Sequence, residues 1–520
     1  MVAATRKAVG TWLPGRLGLV VALSAAVFAA PGEGQERTQQ AGQTVELTLE
    51  RMVELGLRDS YRVRQLQLGV ERTRSNLRAE QAGLKSRVEL EVAAPEFAVI
   101  SDYKWDSELQ RNELVSENTR RWELDLSVRQ PVILFGFPTN GFLSLNNRMY
   151  RYTQIGEEER DVRFYNRYFI GYDQPLFQPN RMKNDLEEAE LDLERAELDF
   201  RDDVVGIVTD LADDYLELFE SAYERVIATS YVDRLESVAA AAADLAELAP
   251  TRAIEADQMD VALVNAREET QQTVSQFRLQ AAELKQRLRL NASDSITVSP
   301  EARVEPLHVD VDRAVELATT LAPRMRELAI SRRQSEIRLS EVRGSDAFRM
   351  NVRLTYGREV QDPRFENLWS EPRNSYTVDV SATIPIWDWG ERKHRIQAQL
   401  YSMEAQDLSI EEAHTSIRTN VENEVRNLEE YQGRALSMQT NLEGAQRITD
   451  TMIERYRAGE VALLDVLNAV DREQDTAQNF LNAFLGFRRS VLELQEMTYW
   501  DFEMDLPLLD RYAIETDDLN

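Results

Sequence analysis

Residues 377–390 read TVDVSATIPIWDWG and residues 456–467 read YRAGEVALLDVL. The first stretch alternates apolar and polar residues, the period of a strand, and runs out at Gly390. From there to about Arg455 no Pro intervenes, and the pattern is that of one continuous helix. Gly459 stands where a helix C-terminal cap belongs. A second helix then returns through Leu464, Asp465, Val466, Leu467, Asn468 and Ala469 to about Thr498. About 65 helical residues rise roughly 100 Å at 1.5 Å each. A helix that long cannot bury itself in a compact domain; it belongs to a coiled-coil bundle or a spanning duct.

The same plan occurs earlier in the chain. Val311 to Leu354 aligns without a gap on Leu49 to Val92 at a shift of 262: Arg51, Val53, Glu54, Leu55, Arg62, Arg64, Leu66, Leu77 and Arg87 fall on Arg313, Val315, Glu316, Leu317, Arg324, Arg326, Leu328, Leu339 and Arg349. Gln174-Pro175-Leu176-Phe177 falls on Ile384-Pro385-Ile386-Trp387 at a shift of 210, so the first half carries 262 − 210 = 52 extra residues between its two strands. Within that insert, 122–129 alternates again and Gly136 to Gly141 reads as a turn; the insert is expected to add a β-hairpin near a membrane surface. From Arg181 to about Leu248 the heptad seam Leu186, Leu193, Phe200, Ile207 marks a second long helix. It breaks at Leu248 to Arg252 and returns from about Ala253 to Leu290, where Asp260, Val261, Arg267 and Glu268 match Asp465, Val466, Arg472 and Glu473 at a shift of 205. This is an internal duplication. The expected organisation is a signal peptide (1–30), a flexible lead-in (31–47), a first repeat (48–290), a linker (291–310), a second repeat (311–500) and a loose C-terminal tail (501–520).

Composition narrows the class. The chain has 520 residues, 91 acidic against 61 basic, and a net charge of −30. That argues against nucleic acid as a partner; an acidic surface fits a soluble compartment, and an acidic lumen would favour cations. Arg6, Lys7 and Arg16 followed by an apolar run to Ala30 read as a secretory signal. Cleavage near Ala29 removes three positive charges, leaving −30 − 3 = −33. No later run is long and apolar enough for a transmembrane helix. The chain has no Cys and only three scattered His, so disulfides, thiol chemistry and a metal site are not expected, nor is any cofactor. No phosphate-binding Gly-rich loop and no Ser/His/Asp set is present, so an enzyme is not expected.

On the strands, Val352, Leu354 and Tyr356 oppose Asn351, Arg353 and Thr355, while Val378, Val380, Ala382 and Ile384 oppose Thr377, Asp379, Ser381 and Thr383. An apolar face backed by a polar one suits a barrel wall between lipid and water. A soluble sheet with one packed face has the same alternation. Two strands per half cannot close a barrel, so several chains would contribute.

Taken together, the duplication, the IPIWDWG segment at Ile384 to Gly390, and Tyr456 to Gly459 followed by Leu464 to Leu467 resemble the TolC-like outer membrane efflux family over nearly the whole chain, from Leu49 to about Trp500. The resemblance implies a mainly α fold with a small membrane β-barrel: a homotrimer whose pooled strands span the outer membrane and whose helices form a tapering periplasmic tunnel. It implies an exit duct of a tripartite efflux or type I secretion system, passive, docking on a periplasmic adaptor (membrane fusion) protein and an inner-membrane pump. Pro250, Thr251, Arg252 and Ala458, Gly459, Glu460, Val461 would be the docking tips. Tyr456, Asp260 and Asp465 match gate positions, with Asn468 where a second acidic ring can sit and Val461 where an Arg can serve. A carboxylate repeated around a narrow pore attracts cations. Asp465 equally suits a helix first turn, and Tyr456 equally suits a packed core. Trp387 and Trp389 would anchor at the membrane–water interface, or simply pack. A periplasmic coiled-coil adaptor or scaffold without a pore is the alternative; it leaves the duplicated amphipathic strands without a purpose.

Overall fold

The computed structural model describes residues 44–512, except 59, 107–109, 156–159, 292 and 346. The expected signal peptide, most of the lead-in and residues 513–520 lie outside the described residues. In chain order the elements are β1 (Thr44–Glu46), α1 (Leu49–Arg58), α2 (Tyr61–Gly83), β2 (Arg87–Asp106), β3 (Arg111–Leu134), β4 (Phe137–Ile155), β5 (Arg160–Leu176), α3 (Arg181–Leu248), α4 (Ala253–Arg287), β6 (Ser295–Thr297), α5 (Val311–Leu321), α6 (Arg324–Ser345), β7 (Arg349–Asp362), β8 (Arg373–Thr383), α7 (Glu391–Arg457), α8 (Leu463–Thr498), β9 (Trp500–Asp501), β10 (Leu506–Pro507) and α9 (Leu508–Arg511). The long helices α3 and α7 hold 68 and 67 residues, as the uninterrupted pattern requires.

The duplication is visible in the breaks as well as in the elements. The first helix of each repeat, expected as one piece, is two. In the first repeat Ser60 caps α2, its hydroxyl accepting from the amides of Arg62 and Val63. In the second repeat the break falls at Ala322 and Pro323, just before α6. Serine competes for backbone amides and proline cannot donate one, so two different residues end the helix at matching places.

Six long strands form one antiparallel meander in the order β2-β3-β4-β5-β7-β8. The expectation of two strands per half is corrected for the first repeat, which supplies four. The insert forms the expected β-hairpin, β3 and β4, and the structure sets it inside the sheet, between β2 and β5. Their turn is shorter than expected, only Phe135 and Gly136, both at positive φ (52° and 85°) with Leu134 facing Phe137. Such a two-residue turn matches the twist of the strands it joins.

Register places the side chains. Val88, Leu90 and Val92 lie opposite Val128, Leu126 and Leu124. Val128 lies opposite Leu145, which lies opposite Ile170, which lies opposite Tyr356, which lies opposite Tyr376. Directly paired residues share a face, so one apolar band crosses all six strands. Much of it is open: Leu90 is 63%, Val378 69% and Tyr376 81% exposed. The opposite face is polar. There Arg148 reaches Glu123 at 3.0 Å and Asp125 at 2.8 Å, and Arg353 reaches Asp173 at 2.8 Å.

The helices meet the sheet at one end, where Asn140 donates to the Pro179 carbonyl and Asn180 to the Pro138 carbonyl. The core lies further along. Phe219, Leu428, Phe480, Leu481 and Phe487 join α3, α7 and α8 to α1 and α5. Two stretches expected to be loose are partly ordered into it. Thr44–Glu46 pairs in parallel with Ser295–Thr297, burying Leu47, and so ties the end of the lead-in to the linker. The start of the tail folds back, with Leu508 buried and Arg511 paired with Asp501 and with Glu50 at 2.8 Å.

A Cβ placed on Gly486 of α8 would stand 2.7 Å from the Tyr431 ring of α7. Overpacking at such a site costs about 1–3 kcal/mol. Gly486→Val should therefore lower the thermal midpoint of the purified protein, while Gly433→Ala, where a Cβ meets nothing within 4 Å, should not.

Candidate gate at the helix tips

At the end away from the sheet, α3 turns into α4 and α7 turns into α8. The first turn is a short 3-10 segment, Pro250–Arg252. The second is a glycine cap. Gly459 has φ 77°, its amide donates to the Tyr456 carbonyl at 2.8 Å, and the Glu460 amide donates to Arg455 at 2.9 Å. These are the bonds that close a helix on a left-handed residue, which glycine adopts without a Cβ clash. Both turns sit over one shared core, in which Leu235, Val238, Met259 and Leu263 of the first pair pack on Ile453, Tyr456, Leu463 and Val466 of the second.

Tyr456 is wholly buried in that core. Its hydroxyl donates to Glu255 at 2.7 Å, and the Arg252 guanidinium lies 5.9 Å above its ring. Packing and polar link, posed as alternatives from the sequence, coexist in one residue. The partner is Glu255, a residue not singled out from the sequence. Burial first, and the Glu255 carboxylate second, push the Tyr456 hydroxyl well above its ordinary range. Asp465 stands in the first turn of α8, where its carboxylate accepts from the Ala462 amide at 3.4 Å. Its observed bond is thus the helix-capping one. Asp260 and Asn468 are both exposed, on α4 and α8, and neither is brought to Tyr456 or Asp465 by a hydrogen bond or ion pair among the described residues.

Two further links join the helix pairs and were not legible in advance. The Tyr231 hydroxyl of α3 donates to Asp471 of α8 at 2.9 Å. Arg234 of α3 donates to Asp450 of α7 and, at 3.3 Å, to Glu473 of α8. Glu473 is 6% exposed, and its second carboxylate oxygen has no partner. One arginine therefore ties three helices and neutralises a buried charge. Nothing in the local sequence separates Arg234 from the many surface arginines of these helices. The duplication offered a faint signal, since Glu473 is the match of Glu268.

At the other end, Trp387 and Trp389 are 73% and 87% exposed and meet edge to face at 5.4 Å. They follow β8 directly, and Asp388 between them accepts from the amides of Gly390 and Arg392 to start α7. Phe135, Phe137 and Phe177 are exposed at the same end of the sheet, so an aromatic cluster marks the junction of strands and helices.

Comparison with known proteins agrees with this arrangement. Residues 317–498, within the second repeat, match the family model described as outer membrane efflux protein. The fold is similar to that of the CusC channel (14% identity, TM-score 0.61, 89% of this chain and 95% of that one). It is similar also to the Campylobacter jejuni CmeC outer membrane channel (12%, 0.60, 91% and 89%) and to the Vibrio cholerae outer membrane protein VceC (11%, 0.60, 86% and 95%). No curated protein matches the sequence. The match bears out the family resemblance read from the duplication and the two motifs. At these identities the solved structures establish the fold.

A tyrosine whose folded-state pKa is raised contributes stability that is complete below its unfolded value, near 10.0, and is lost as pH climbs through the folded one. Tyr231 and Tyr499, which donate to Asp471 and Asp202, are raised in the same way. Ultraviolet titration of the folded protein should thus leave these three phenols un-ionised at pH 10. Replacing all three with Phe should flatten the fall in stability above that pH; an unchanged slope would refute the assignment.

Proposed function

We propose that this chain is an outer membrane exit duct of an efflux or type I secretion machine. Three copies pool their sheets into one barrel in the outer membrane and their helices into a tunnel through the periplasm. The observation that carries this reading is the uncovered apolar band. Six strands expose an apolar face at one end of helices roughly 100 Å long, and among the described residues none of the long helices lies over it. Such a face is stable against lipid. The two edge strands, β2 and β8, keep unpaired backbone groups, which lipid does not tolerate; neighbouring copies satisfy them. The family match and the fold of the solved channels support the same reading. Transport is passive, with energy supplied by an inner-membrane pump through a periplasmic adaptor.

In this reading the turns at Pro250, Thr251, Arg252 and at Ala458, Gly459, Glu460, Val461 meet the adaptor, and Trp387 and Trp389 lie at the periplasmic water interface of the outer membrane, where amphipathic rings are favoured. The gate at the tips involves Asp260, Tyr456, Asp465 and Asn468. Its closed form is held within each chain by Tyr456–Glu255, Tyr231–Asp471 and Arg234 with Asp450 and Glu473. Those links span the two helix pairs, so the pairs separate only when the links break. Asp260 and Asn468, free of such links, are placed to meet the neighbouring copy or the lumen.

Single-channel recording of the mature protein in planar bilayers tests the duct. We expect a cation-selective pore of low conductance. Asp465→Ala and Arg234→Ala should each raise the conductance or the open fraction, and Arg234→Ala should also cost stability, by about 1–3 kcal/mol, because it strands the buried Glu473. Adding Glu473→Gln should recover that stability while leaving the pore open. A folded trimer that never conducts would sink the duct and leave a scaffold.

A further inference from the structure

We infer that the barrel is built from eighteen strands, six from each of three copies, and that its lumen is therefore wider than the gate it leads to. The inference rests on the trimeric-duct reading above and adds to it the strand number. The duplicated plan supplies two strands per repeat, and the 52 inserted residues supply two more. Those two are integral to the wall. β3 pairs along its length with β2 and β4, and β4 with β5, so β3 and β4 lie between the other first-repeat strands rather than beside them. They carry the same two faces as their neighbours. Trp122, Leu124, Leu126 and Leu145 are exposed on the apolar side, while Asp125 and Arg148 pair on the polar side.

Parity also fits closure. Six alternating strands leave β8 running opposite to β2, so β8 of one copy meets β2 of the next antiparallel, like every other pair in the sheet. Strands of a tilted barrel need about 9–11 residues to cross a bilayer. β8, the shortest, has 11, and β3 has 24, so every strand can span and the longest stand clear of the membrane. A barrel's diameter grows roughly in proportion to its strand number, and at about 16–18 strands it leaves an aqueous channel. The constriction accordingly falls at the helix tips, and the polar side of β3 and β4 faces water.

Electron cryo-microscopy of the full-length trimer in lipid nanodiscs counts the strands. Eighteen are expected. Twelve, with residues 107–158 standing off the wall, would overturn this inference and leave the duct intact; a particle with no barrel would overturn the duct reading itself. A chain lacking 107–158, with Asp106 joined to Glu159, restores two strands per repeat. Its exclusion limit for polyethylene glycol entering from the strand side should fall to about two-thirds of the full chain's diameter; an unchanged limit would count against eighteen. The natural chain has no Cys, so single substitutions give a readout that does not depend on that deletion assembling. A water-soluble maleimide should label Ser127→Cys and Asn146→Cys in the conducting trimer and spare Leu126→Cys and Leu145→Cys. Labelling of all four would place β3 and β4 outside the wall and overturn the inference.

Discussion

The backbone hydrogen bonds of a sheet that is apolar on one face and polar on the other, with most of both faces uncovered among the described residues, constrain everything else in this molecule. A lone sheet of that kind would aggregate through its apolar side and its open edges in water. Among the described residues the long helices touch it only at one end, through hydrogen bonds such as those of Asn140 and Asn180, and at the other end the short 3-10 segment Phe365–Trp369 packs on β5 and β7. The rest of the chain can be understood as what such a sheet requires: a narrow attachment that leaves most of its faces free, and a separate core in the helices.

That core is divided along the helices. Midway along the long helices, buried aromatic and leucine side chains join α3, α7 and α8 and recruit the short α1 and α5. At the far end a smaller cluster joins the two helix pairs over their turns. Between them sits Arg234, holding a buried carboxylate that would otherwise be stranded. Tyr456 on Glu255, Tyr231 on Asp471 and Arg234 on Glu473 add discrete polar contacts to the apolar packing between the two helix pairs.

The two repeats show how far a duplication constrains a fold. Helix breaks recur at matching positions by different means, a serine cap in one and a proline in the other. The caps at the tips also differ: Gly459 ends α7 in the left-handed region, whereas α3 ends in an extended residue and a 3-10 turn begun by Pro250. The sheet departs most. The second repeat keeps two strands, while the first has taken in a long hairpin whose alternation is in phase with its neighbours. In-phase alternation matters because a slip of one residue would turn every apolar side chain of β3 and β4 to the polar face.

Periodicity by itself determined a good deal. Runs without Pro and with 3.6-residue spacing set the long helices, strict alternation set the strands and their two faces, and the matched segments set the duplication. These are local properties, and the chain's own covalent geometry enforces them. The pairing of the insert was not local. Whether Trp122 to Arg129 lies at the edge or in the interior of the sheet depends on which strands come to flank it, and only the assembled meander decides that. The contacts between the helix pairs near their tips are of the same kind. Tyr456 and Glu255 are two hundred residues apart, and Arg234 looks like any surface arginine until α3, α7 and α8 pack and leave Glu473 buried with one partner to find. Sequence spacing fixes what a side chain can reach along its own helix; across helices, the packed core selects which charges meet.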